Sequence, residues 1–263
     1  MENRIEQKMQ QLKQKGKKAF ITYMMAGHPD MEKCKSLIQA QEHAGVDVLE
    51  LGIPFSDPVA DGAVIQDASY RCLAHGVNLK KVFALTKELR GEGTELAIVF
   101  RMYYNTALHF GLEKFVEECI LNGVDGIVIP DLPLEEQGEL KRLLEKERAP
   151  LLIQMASPMS GERLPRILKG AKGFAYCETG SDAVGQSESV RRESAFYLAQ
   201  VKQIAKIPVM MEVEQAGDAS CLKDVVDGVI VRAGFISLLE ENNYNQAAVI
   251  EYCAASKRML EEF

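Results

Sequence analysis

The stretch Leu49-Glu50-Leu51-Gly52-Ile53-Pro54-Phe55-Ser56-Asp57-Pro58-Val59-Ala60-Asp61-Gly62 holds one carboxylate, Glu50, within an apolar run. It delivers a second, Asp61, on a loop punctuated by proline and glycine. A short apolar run ended by such a loop reads as a buried strand entering a strand-to-helix connection. A lone aspartate there is ordinarily just a loop-exposed acid. That reading fits Glu50 poorly, because its neighbours Val46, Val48, Leu49, Leu51 and Ile53 are apolar and burying an unpaired carboxylate is costly. Two carboxyls in different surroundings, one on rigid backbone and one on a loop, are what acid–base chemistry uses.

Outward from this stretch, apolar runs near 19–24, 46–51, 96–100, 126–129, 151–155, 173–177, 209–213 and 228–231 alternate with helical patterns. The helical patterns lie near 31–44, 80–90, 113–122, 135–146, 162–169, 194–205, 219–225 and 247–260. Eight strands alternating with helices predict a parallel sheet. At 263 residues that sheet is expected to close into a single TIM (β/α)8 barrel domain covering 1–263. An open doubly wound sheet is the alternative, but Ala26-Gly27-His28-Pro29 after the first run is not its glycine-rich nucleotide turn. Gly45 and Gly123 stand where helix C-caps precede a buried strand. The segment 178–193, rich in Ser, Gly and charge, reads as a candidate lid.

A net charge of −7 argues against a nucleic-acid binder. The N-terminal lysines read as the solvated face of a short helix. No apolar stretch is long enough to span a bilayer and no signal-peptide core follows Met1, so a cytoplasmic protein without a membrane partner is expected. Six cysteines lie far apart without a CxxC pair, as expected of reduced, mostly buried thiols. The four histidines are scattered, and no metal site is expected. In a barrel, chemistry lies at the C-terminal ends of the strands. Glu50 and Asp61 follow the second run, Tyr103 and Asn105 the third, and Asp131 the fourth, while Tyr176 ends the sixth. All would share one mouth. Plain packing is the competing reading of Tyr103.

LELGIPFSDPVADG at 49–62 resembles the signature of the tryptophan synthase alpha subunit family. LKQKGKKAFITYMMAGHPD at 12–30, MYYN at 102–105 and GVDGIVIPDLPLEE at 123–136 carry the same likeness along nearly the whole chain. The resemblance implies a TIM barrel that cleaves indole-3-glycerol phosphate to indole and glyceraldehyde 3-phosphate by a retro-aldol reaction without a cofactor. It implies an indole-type small-molecule substrate and a pyridoxal-phosphate beta subunit as partner. Glu50 is implied to move a proton to and from the indole C3, and Asp61 to accept the indole N–H. Tyr23, Tyr103, Tyr176 and Gly185 are implied pocket residues.

Several positions depart from the family pattern. After the seventh run the glycines of Gly-Phe-Gly are replaced in Glu212-Val213-Glu214, and after the eighth Gly-Ser is replaced by Arg232-Ala233. Glycine there lets a phosphate approach backbone N–H groups. Arg101 stands at an apolar pocket position, Val184 at a hydroxyl position before Gly185, His28 at an acid and Met25 at a small polar residue. Glu212 and Glu214, two apart, are expected on one side of the strand. With Arg101 and Arg232 they are expected to form an internal ion-pair network in the substrate site. Three readings stay open: a working lyase, a catalytically impaired paralogue that binds and regulates a beta subunit, and a barrel enzyme for a different substrate.

Overall fold

The computed structural model describes residues 3–179 and 188–262, with 188–190 as backbone only. Nine strand segments form one parallel sheet: β1 (Ala19–Met25), β2 (Val48–Gly52), β3 (Ala97–Arg101), β4 (Gly126–Val128), β5 (Leu151–Leu152), β6 (Gln154–Ala156), β7 (Ala175–Cys177), β8 (Val209–Val213) and β9 (Gly228–Val231). Their order is β5-β4-β3-β2-β1-β9-β8-β7-β6. β5 and β6 are one extended stave interrupted at Ile153, whose N–H still bonds the Ile127 carbonyl at 2.9 Å. β5 pairs with β4 and β6 with β7, so this stave closes an eight-stave barrel, as the eight apolar runs predict.

The strands are buried along their length, β1 through β3 without exception. This suits a parallel sheet covered on both faces. Inward residues such as Ile21, Val48, Val99, Phe174, Met210 and Ile230 fill the barrel, which the N-terminal helix Arg4–Gln14 plugs from below with Ile5, Met9 and Leu12. A second apolar layer lies between barrel and helices, with Phe83 packing among Phe100, Phe110 and Phe115. Helix starts carry their own acceptors: Asn3, Asp30, Asn78 and Asn245 each receive a backbone N–H of the first turn. Gly123 caps its helix in the left-handed region, with φ 70°.

An acid repeats at the lower rim. Asp47, Asp125 and Asp227 precede β2, β4 and β9, and each accepts a backbone N–H from the neighbouring stave, Phe20, Ile98 and Val209, at 2.8 Å. Each also meets a cation: Lys257 for Asp47, Arg90 at 2.8 Å for Asp125, and Lys202 at 2.5 Å for Asp227.

Three predicted helices are shorter than their patterns. Near 135–146 a 3-10 turn Leu134–Glu136 leads into Gly138–Leu143; near 162–169 another, Pro158–Arg163, leads into Leu164–Leu168. Near 219–225 only the 3-10 segment Ala216–Leu222 forms. In the second case Pro158 and Pro165 at the entrances of its two segments, and a non-helical Gly161, break the regular hydrogen-bond ladder. Helices Ala63–Ala74, Tyr104–Phe110 and Ala233–Glu241 were not among the helical patterns read from the sequence.

Gly228 faces the barrel interior so closely that a Cβ there would lie 2.4 Å from the Ala19 carbonyl oxygen. Gly228→Ala is expected to lower stability by about 1–3 kcal/mol through overpacking, read as a lower urea midpoint with an unchanged slope.

Candidate active site

The upper layer of the barrel follows from the period of two. Tyr23 stands two residues beyond Ile21, Glu50 beyond Val48, Arg101 beyond Val99, Tyr176 beyond Phe174, Glu212 beyond Met210 and Arg232 beyond Ile230. Each apolar member of these pairs lies in the interior cluster, so the polar member above it points into the same space. Six staves thereby bring two guanidiniums, two carboxylates and two phenols together. Asp61 joins them from the loop after β2.

The contacts are ionic. Arg101 Nη1 lies 3.3 Å from Glu50 Oε1, its Nε 3.7 Å from Asp61 Oδ1 and its Nη2 3.9 Å from Glu178 Oε1. Arg232 Nη1 donates to Glu212 Oε1 at 3.0 Å and its Nη2 donates to Asp61 Oδ1. Tyr103 Oη donates to Asp61 Oδ2 at 2.8 Å and accepts the Ala60 N–H at 2.9 Å, with its ring stacked on Phe55. Tyr176 Oη donates to Glu212 Oε2 at 2.8 Å. The guanidiniums also lie over aromatic rings, Arg101 at 5.5 Å from Tyr176 and Arg232 at 5.1 Å from Tyr23.

These side chains are dry: Glu50 and Arg101 are 2% and 3% exposed, Asp61 and Arg232 6% and 5%. Burial pushes the Glu50 carboxyl above the ordinary range, opposed by Arg101 and Arg232. Burial and the adjacent Arg232 work against the Arg101 charge, but Tyr176, Glu50 and Asp61 outweigh them and hold its pKa above the usual value. Arg232 is likewise raised, with burial opposed by Tyr176, Glu212, Glu50 and Asp61. Glu50 Oε2 is buried and has no hydrogen-bond partner among the described residues.

Of the expected network, the Arg232–Glu212 pair forms, whereas Arg101 meets Glu50, Asp61 and Glu178 instead. Glu214 does not join it: β8 ends at Val213, the alternation stops there, and Glu214 is exposed. Its place is taken by Glu50 and Asp61 themselves. Glu214 instead stands at the first turn of helix Ala233–Glu241, where the Gly234 backbone N–H favours its charged form while burial and Glu212 raise its pKa. A Cβ on Gly234 would come within 2.0 Å of the Glu214 carbonyl oxygen. Ala233 opens that helix just after Arg232. Val184 and Gly185 lie outside the described residues, as does half of the expected lid; helix Glu188–Ile204 begins within it.

One contributor, Glu178, was not singled out in the sequence, and His28 was read there only as a departure from the family pattern. Glu178 lies one residue beyond β7, where the alternation no longer assigns a face, and it stands 3.9 Å from Arg101. His28, at the rim, lies 3.2 Å from Glu240 and 3.0 Å from the Tyr244 hydroxyl; nothing local joins residues so far apart in sequence. Asp131 takes no part in the ionic cluster and accepts the Tyr104 N–H at 2.9 Å.

Arg101→Leu should leave Glu50 buried without its nearest cation and cost about 3–5 kcal/mol at neutral pH. Because burial already raises the folded Glu50 pKa, its destabilisation is absent below the unfolded value and grows as pH rises toward and through the folded one. The variant, with that pKa raised further, should therefore lose stability with rising pH more steeply than the parent in urea titrations between pH 4 and 8.

A barrel with paired acids at its mouth leaves many reactions possible, and comparison with known proteins narrows them. The family described as tryptophan synthase alpha chain matches residues 9–263. The chain is 48% identical to the tryptophan synthase alpha chain of Lachnospira eligens, over 98% of this chain and 99% of that one. It is 38% identical to that of Alkaliphilus metalliredigens, over 95% and 94%. A crystal structure of tryptophan synthase subunit alpha from Legionella pneumophila superposes with a TM-score of 0.89 at 30% identity, covering all of both chains. Barrel, mouth carboxylates and full-length likeness converge, and the chain belongs to the tryptophan synthase alpha chain family.

Proposed function

We propose that the chain is a carbon–carbon lyase that cleaves indole-3-glycerol phosphate to indole and glyceraldehyde 3-phosphate, as one barrel domain in the cytoplasm beside a tryptophan synthase beta subunit. No helix among the described residues is long and apolar enough to cross a membrane. The observation that carries this reading is the pairing of Glu50 on β2 with Asp61 on the following loop, in different surroundings at one mouth. Glu50 presents an unpartnered oxygen in a dry site and carries a raised pKa, which suits a group that gives and takes a proton. Proton delivery to the indole C3 makes the ring an electron-accepting leaving group. Asp61, oriented by Tyr103, would accept the ring N–H and stabilise the positive charge that develops there. Transfer of the proton from the side-chain hydroxyl beside the breaking bond to the Glu50 carboxylate then forms the aldehyde carbonyl, as the carbon–carbon bond breaks and its electron pair passes to the ring.

The pairing of Arg232 with Asp61 and Glu212 favours a second reading, an impaired paralogue whose role is to bind and regulate a beta subunit. Glu212 and the nearby Glu214 add negative charge beside the position where the family holds a phosphate dianion. An enzyme for a different, non-phosphorylated substrate would also tolerate those acids.

Release of glyceraldehyde 3-phosphate from indole-3-glycerol phosphate, assayed with a beta subunit present, separates these readings. Under the lyase reading Glu50→Gln should lower kcat by about 10²-fold or more. Full activity in Glu50→Gln would remove Glu50 from the mechanism, and no activity in the parent chain would favour the regulatory role.

A further inference from the structure

Both carboxylate oxygens of Asp61 already accept a donor from the protein. Its Oδ2 accepts the Tyr103 hydroxyl, and its Oδ1 accepts Arg232 Nη2 with Arg101 Nε 3.7 Å away. A ring N–H seeking this carboxylate meets a guanidinium N–H already in place. Arg232 is not tied to Asp61 alone, however. Its Nη1 separately donates to Glu212 Oε1 at 3.0 Å, and Glu212 is held in turn by Tyr176 at 2.8 Å. Its Nε is buried without a partner among the described residues, so the guanidinium keeps a donor that they do not use. If Nη2 leaves Asp61, the cation keeps Glu212, and the exposed Glu214 lies close enough to feel its charge. A buried cation with a second acceptor can change position without being stranded, which is the condition for a two-state element.

We propose that Arg232 is an internal latch that excludes the indole ring: its guanidinium occupies Asp61 in the resting chain, and it must fall back on Glu212 before the ring N–H can bind. This rests on the lyase reading of the site and makes Arg232 a determinant of substrate access. The latch lowers apparent ring affinity by the fraction of molecules in which it is open, so a latch open in about one molecule in ten weakens binding about tenfold.

The test uses the full chain and indole itself. The chain contains no tryptophan, so indole fluorescence reports binding without interference from protein indole. In Arg232→Ala combined with Glu212→Gln, which removes the latch and the acid it would strand, indole should bind about tenfold or more tightly. Adding Asp61→Asn should erase the gain, because the freed acceptor is its source. Arg232→Gln gives an independent reading if the double variant fails to melt cooperatively. Equal or weaker indole binding in a cooperatively folded latch-free variant overturns the proposal, as does a gain that persists with Asp61→Asn. Turnover of indole-3-glycerol phosphate, followed in parallel, separates the two ideas: turnover without a gain in indole binding defeats the latch alone, and a gain without turnover defeats the lyase reading alone.

Discussion

A carboxylate placed inside a closed barrel must either give up its charge or acquire a partner. Glu50 acquires Arg101, and the rest of the mouth follows from that pair. Two residues of opposite charge on adjacent staves leave Arg101 with donors to spare, and Asp61 and Glu178 gather round them. Arg232 arrives from β9 and would be an uncompensated second cation without Asp61 and Glu212. The cluster is therefore mutually dependent: each guanidinium is tolerable because acids surround it, and each acid has a guanidinium near it. Removing any one member leaves a charge in a dry site.

The barrel treats its two ends differently. At the lower rim, Asp47, Asp125 and Asp227 bond the backbone N–H of neighbouring staves and are matched by Lys257, Arg90 and Lys202 on the surrounding helices. Those ties fix stave register and leave nothing free for a ligand. At the upper end the charged groups come from the staves and their following loops, and they retain unpartnered atoms, including Glu50 Oε2 and Arg232 Nε. Stability is concentrated below and chemical capacity above, which is the usual division in this architecture.

The period-two rule made most of the mouth legible in the sequence. Once Val48 and Val99 are read as barrel interior, Glu50 and Arg101 must be interior too, and Met210 and Ile230 place Glu212 and Arg232 the same way. The rule also explains the failure at Glu214: alternation holds only while the strand lasts, and β8 stops one residue earlier. Which cation would meet which acid was not legible, because Arg232 and Asp61 are brought together by barrel closure across 171 positions. Strongly periodic helices were visible, while the 3-10 turns near 134, 158 and 216 were not, because their short hydrogen-bond ladders leave no lasting apolar stripe.

The central claim is that both guanidiniums are held on acids inside the mouth. Nitrogen-15 NMR of the arginine side chains tests it most directly, since a guanidinium bonded on two sides rotates slowly about its Nε–Cζ bond. Arg101 and Arg232 should each show distinct, slowly exchanging Nη signals that collapse on Glu50→Gln or Asp61→Asn respectively, whereas Arg148, with a 63% exposed side chain, should show averaged ones. Averaged signals from Arg101 and Arg232 in the unsubstituted chain would contradict the account.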